Sequence, residues 1–209
     1  MPPHRIHRKY ARVMGLPDEV ARQVDLEIDI KLGLHDLMRK GLIVDGEWYI
    51  NSILYGASYF FHRYREHGVK AFVLHHILDY YEIQVKRLKK TVRHRYATGH
   101  LWRPFYLADH WVRCLISNAK CDILCILGKY EEAEKELRKA WLHYSEAVAN
   151  AEKEPKWGPY KTSLESLKRY IGENVTEQVS ITILNILLKT FDEIESMLEL
   201  FPNDIEWWP

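Results

Sequence analysis

Apolar residues recur every three or four positions along most of the chain, and that period restricts the fold to packed helices more than any other feature does. From Asp18 onward, Val20, Val24, Ile28, Leu32 and His35 make one stripe. The stripe begins behind the acidic turn Asp18-Glu19 and closes near Arg39-Lys40-Gly41, the charge order that a helix dipole favours. Asn51 and Ser52 are placed to cap a second helix running to about His67-Gly68. A third, at about 69–96, carries Leu74, Leu78, Tyr81, Val85 and Leu88 on one face. Further helices are expected at about 105–127, 130–152, 163–171 and 176–200, the last ended by Pro202. The one β signal is Leu42-Ile43-Val44, Asp45-Gly46, then Glu47-Trp48-Tyr49-Ile50, where Asp-Gly suits a type I′ hairpin turn. The expectation is an all-α bundle of about six or seven helices with one small β-hairpin at about 42–50.

A chain of 209 residues with 47% hydrophobic residues can bury one generous core, which argues against intrinsic disorder. The net charge of +1 hides a division at Pro104. Residues 1–104 carry 18 Lys/Arg against 11 Asp/Glu, and residues 105–209 carry 12 against 18. Ten of the eleven histidines precede residue 111. A single domain over 1–209 is expected, with two subdomains open within it: a basic, His-rich 1–103 and an acidic 104–209. The charged start of the chain lacks the apolar run of a secretory signal, and Val179–Leu188 is too short and too polar to span a bilayer, so a cytoplasmic protein with no membrane partner is expected. Cys114, Cys121 and Cys125 lack metal-knuckle spacing and read as buried thiols. The scarcity of glutamine, only three residues, beside abundant Lys, Arg, Glu, Tyr and Trp resembles thermophile composition. No phosphate loop or nucleophile elbow is present.

Chemistry concentrates in the first half. His7, the pair His35-Asp36, and His75-His76 with Asp79 are the groups that can converge. Asp79 neighbours both His75, at i,i+4, and His76, at i,i+3, on one helix surface. Asp25, Asp29 and Asp36 share a face beside the first stripe. Imidazole and carboxylate on facing helices suit a divalent ion that activates water, its identity (Mn, Fe, Zn or Ni) left open. The order His7, His35-Asp36, His75 or His76, Asp79 is similar to the HD superfamily of metal-dependent phosphohydrolases, and Leu32-Gly33-Leu34-His35-Asp36-Leu37 looks like its central helix. That resemblance implies an all-helical fold, His7, His35, Asp36 and Asp79 as ligands, and His62, His75 or His76 completing a second site. A basic residue such as Arg39 is expected to hold substrate phosphate. The competing reading makes His35 and His76 hydrogen-bonded, partly buried histidines and pairs Asp36 and Asp79 with Arg39 or other basic residues.

Lys86, Arg87, Lys89, Lys90, Arg93 and Arg95 form a basic helix end that can meet nucleic-acid phosphates, a protein partner or solvent. A homo-oligomer and a phosphate-containing small molecule are the other partners the sequence allows. Two short resemblances remain. Leu127-Gly128-Lys129-Tyr130-Glu131-Glu132-Ala133, with Leu137 and Ala140, resembles one tetratricopeptide-type junction and is read as a helical hairpin. Arg138 and His143 fit the R-x4-H spacing that resembles HEPN ribonucleases. Two functional readings thus stand: a metal-dependent phosphohydrolase-like protein, or a non-catalytic helical interaction protein of a thermophile or its mobile element.

Overall fold

The computed structural model describes residues 4–31, 43–44, 47–48, 50–92, 103–149, 161–175 and 179–203. Among them are seven α-helices: α1 (His4–Val13), α2 (Asp18–Leu26), α3 (Ile50–Val92), α4 (Arg103–Ile126), α5 (Tyr130–Ala149), α6 (Leu164–Asn174) and α7 (Ile181–Met197). A π-helical turn, Glu27–Lys31, continues α2, and a 3-10 helix, Leu198–Asn203, continues α7. The architecture is all-α. Ile43–Val44 and Glu47–Trp48 pair antiparallel, Ile43 opposite Trp48 and Val44 opposite Glu47. Two residues per strand make no sheet layer, and the β-hairpin expected at about 42–50 is not supported beyond these two pairs.

Local chemistry sets the helix ends. Gly128, at φ 74°, ends α4, with the Gly128 amide on the Cys125 carbonyl and the Lys129 amide on the Leu124 carbonyl. Only a residue without Cβ takes that conformation cheaply, and α5 then returns along α4 with Ala133 and Ala140 fully buried in the seam. Ser163 caps α6 through a reciprocal pair with Ser166. The helix expected from Thr176 begins at Ile181, capped by Ser180, and Pro202 sits inside the closing 3-10 helix.

The longest helix is folded back on itself. Arg65 adopts φ 54°, ψ −143° inside α3. Gly56 and Phe72 would stand about 24 Å apart on a straight helix, yet a Cβ on Gly56 would meet the Phe72 ring at 2.2 Å, and the Phe60 and Phe72 rings stack at 5.4 Å. The sequence reading divides two helices at His67-Gly68, and the turn comes at Arg65, three residues earlier. Left-handed backbone at a non-glycine residue is costly, so the packing of the two arms must hold it. One continuous core extends from Ile6 to Phe201, with Phe60, Phe72 and Leu115 among its members, so residues from both charge halves share it. A smaller cluster, including Cys121, Cys125 and Leu167, lies among α4, α5 and α6.

Candidate metal centre

Helix α1 delivers the first ligand. Its apolar face buries Ile6, Tyr10 and Ala11. The Tyr10 ring meets Phe201 edge-on at 4.5 Å, its hydroxyl donates to the Leu200 carbonyl at 3.3 Å, and Phe201 also meets Tyr81 of the second α3 arm at 5.1 Å. Arg12 grips Asp18 with two nitrogens, both at 2.7 Å, and ties α1 to the start of α2. His7, one turn before Tyr10, is thereby pressed against α2 and α3.

There His7, His75, Asp79, Asp25 and Asp29 come together, all buried or nearly so. Asp25 Oδ1 accepts from His75 Nδ1 at 2.8 Å and lies 3.4 Å from His7 Nδ1. The opposite ring nitrogens turn the other way. His7 Nε2 is 3.3 Å from Asp79 Oδ1, and His75 Nε2 is 3.5 Å from Asp79 Oδ2 and 3.7 Å from Asp29 Oδ1. The two imidazoles meet edge to face at 4.3 Å. One carboxylate thus serves both Nδ1 atoms, while both Nε2 atoms face two further carboxylates.

Electrostatics follow from that geometry. Burial works against a charged His7, but Asp25 and Asp79 outweigh it and raise its pKa to about 9. Burial likewise opposes ionisation of Asp25 and Asp79, yet the histidines hold both below the usual carboxylate range. Without a metal, a protonated His7 bridges two carboxylates.

The residues fit a divalent ion. One donor atom from each of His7, His75 and Asp79 lies within 4.8 Å of the others. Ligands about 2.1 Å from a tetrahedral ion stand about 3.4 Å apart, near the 3.3 Å from His7 Nε2 to Asp79 Oδ1 and the 3.5 Å from His75 Nε2 to Asp79 Oδ2, although these two contacts use different oxygens of Asp79. His75 Nε2 is buried without a hydrogen-bond partner, and its Nδ1 proton is committed to Asp25, so its lone pair points where an ion would sit. Carboxylate, imidazole and metal in line is the arrangement that orients metal-binding histidines. Two imidazoles with a carboxylate suit Mn, Fe, Zn or Ni.

A second layer fixes the π turn. Glu27 is buried and accepts from Tyr59 at 3.0 Å, Tyr64 at 2.9 Å and Arg63 at 3.3 Å, all on the first α3 arm. Burial and the Glu27 carboxylate raise the pKa of both tyrosines. Asp29, two residues on, reaches His75. The site is assembled from both sides of the Arg65 fold, and π turns recur at functional sites.

Of the residues singled out in sequence, the structure brings His7, His75 and Asp79 together, and it places His7 on a helix. His76 is buried beside them, its ring against Phe72 at 4.7 Å and 5.4 Å from His75, outside the ligand triad. His62 is exposed, with Nδ1 on the Ser58 carbonyl at 2.8 Å, away from the cluster. His35, Asp36 and Arg39 lie outside the described residues, as do Arg93 and Arg95 and the side chains of Arg87, Lys89 and Lys90. Lys86 pairs with Glu82 at 2.9 Å. Arg138 is exposed and bound to Glu134, whereas His143 faces His110 across α4 and α5, Nδ1 to Nδ1 at 3.1 Å. Asp25 and Asp29 received no role from sequence, although their i,i+4 spacing placed them on one face. Comparison with protein-family models, curated proteins and solved structures gives no match, so function is argued from these residues alone.

Proposed function

We propose that the chain is a metal-dependent phosphohydrolase, with His7, His75 and Asp79 as ligands and Asp29 beside them. His35 and Asp36 enter as further ligands through the HD resemblance. The observation that supports this most is the shared orientation of the two imidazoles, both Nδ1 atoms on Asp25 and both Nε2 atoms toward Asp79. A divalent ion bound there supplies Lewis-acid charge and lowers the pKa of water into the neutral range. The protein's own groups do the rest. Asp25 holds the two rings in the metal-ready orientation, Asp79 and Asp29 supply negative charge, and the buried walls limit water. Arg39 keeps its proposed role as a phosphate-holding residue.

The test is hydrolysis of p-nitrophenyl phosphate and its bis-ester by protein loaded with Mn, Fe, Zn or Ni. Activity that disappears in both His75→Ala and Asp79→Asn supports the proposal. Metal-loaded protein that turns over neither ester faster than these two variants do counts against it.

A second reading draws on His7 itself. With a pKa raised to about 9 it can hold a proton where an ion would sit, making the cluster a buried ion-pair knot of a non-catalytic interaction protein. That reading expects stable, metal-free protein whose basic segment 86–95 binds nucleic acid or a protein partner.

A further inference from the structure

A second pair of histidines joins α4 to α5 and includes no residue of the His7 cluster. His110 of α4 and His143 of α5 meet Nδ1 to Nδ1 at 3.1 Å, with ring centroids 5.3 Å apart. Tyr106, one turn before His110, packs edge-on against that ring at 4.5 Å, and Trp111 meets Tyr144 at 5.8 Å across the same seam. Both histidines are only half-buried, so solvent reaches the pair. Two neutral imidazoles placed in this way share one proton between their Nδ1 atoms. With each proton on Nε2 instead, two lone pairs converge on one point. Burial lowers the pKa of both rings, that of His143 to about 4, so at pH 7 both are in the neutral form that binds metals. The charges around them are mixed: Asp109 and Glu146 favour a cation at His110, whereas Arg113 opposes one at both rings and Lys139 at His143.

We propose that His110 and His143 form a copper(II) site that clasps α4 to α5, the ion taking the place of the shared proton. Two nitrogens each about 2.1 Å from an ion and 3.1 Å from one another subtend about 95° at it. That is close to the right angle of a tetragonal ion and short of the tetrahedral angle of about 109° that structural zinc takes. Tetragonal nitrogen sites select Cu(II), which also heads the affinity order of the divalent first-row metals. Asp109 accepts from Arg113 Nε at 2.7 Å, so the two imidazoles are the protein's donors and water takes the remaining positions. The site does not rest on the hydrolase reading, whose ion lies among His7, His75 and Asp79.

The experiment is calorimetric titration of Cu(II) into chelator-stripped full-length protein, with frozen-solution electron paramagnetic resonance on the same samples. Wild type, His110→Gln, His143→Gln, the double variant and His75→Ala are compared. Wild type should hold one equivalent that each single Gln variant binds about tenfold or more weakly, because either loss breaks the chelate. The double variant should be no weaker than either single one, the mark of two rings that share one ion. His75→Ala should keep this equivalent and its tetragonal spectrum with two coordinated imidazoles, which separates the site from the His7 cluster. Cu(II) should raise the melting temperature of wild type and leave that of the Gln variants unmoved. Gln variants that bind as wild type does, losses that add independently in the double variant, or an equivalent that disappears with His75→Ala would each overturn the site. The wild-type spectrum tests it without any substitution, since bound Cu(II) that shows no coordinated imidazole also overturns it.

Discussion

Proton and metal should compete for His7, and the structure sets the size of that competition. In the metal-free chain His7 lies between Asp25 and Asp79, which raise its pKa to about 9. A metal ligand must be neutral imidazole, so an ion has to expel that proton. At pH 7 expelling that proton costs the ion about 2 kcal/mol more than at pH 9. Apparent metal affinity should therefore be about 50-fold weaker at pH 7 than at pH 9, with the change approaching tenfold per pH unit toward pH 7 and flattening near pH 9. Asp79, held below the usual carboxylate range, is already ionised and adds nothing to this slope. Mn binding measured against a chelating dye from pH 6.5 to 9.5, with the dye's own protonation subtracted, gives the slope. Calorimetry at pH 7 in buffers of different ionisation enthalpy should show His7 releasing about one proton per ion, lost in His7→Ala. A flat affinity from pH 7 to 9, or no proton release at pH 7, would refute the placement of a charged His7 in the ion's position.

The remaining expectations follow from the same contacts. In metal-free protein the His7 proton stabilises the fold fully below its unfolded pKa, near 6.5, and that contribution of about 3 kcal/mol is lost as pH rises through about 9. The Asp25 and Asp79 contributions are present above the ordinary carboxylate pKa and lost on acidification, so urea stability should peak between about pH 4 and 6.5. A peak near pH 9 would contradict the sign. Glu27→Gln should cost about 1–3 kcal/mol in urea unfolding, since three donors converge on that buried carboxylate, and a change below 0.3 kcal/mol would show that the clamp is incidental. Gly56→Ala should destabilise by about 1–3 kcal/mol because its Cβ meets the Phe72 ring at 2.2 Å. Phe72→Leu in the same chain should recover part of that loss, and full stability of the single variant would mean that the arms of α3 do not pack this way.

Helical period made much of this fold legible. The stripes on α2, α3, α4 and α7 come from burial, which the sequence carries directly. The fold of α3 at Arg65 was displaced because nothing local marks it. Arginine has no preference for left-handed backbone, and Gly68, the residue that invites a break, is needed instead for its close approach to the Phe60 carbonyl. His75 and Asp79 were legible through i,i+4 spacing, a helix property. Their partnership with His7 depends on how α1 lies across α3, set by Tyr10, Tyr81 and Phe201 from three distant segments. Asp25 and Asp29 show why a shared face does not assign roles. The π turn after Leu26 changes the angular spacing of side chains, so one carboxylate takes the Nδ1 side and the other the Nε2 side.

The most direct measurement is the metal content of protein purified without an affinity tag, by elemental mass spectrometry, for wild type and His75→Ala. The account expects close to one Mn, Fe, Zn or Ni ion per chain in wild type, nearly absent from His75→Ala, with a melting temperature that falls on chelation and recovers on adding the ion. Wild-type protein that carries no metal after incubation with each ion, and whose melting temperature ignores both chelator and metal, would contradict it.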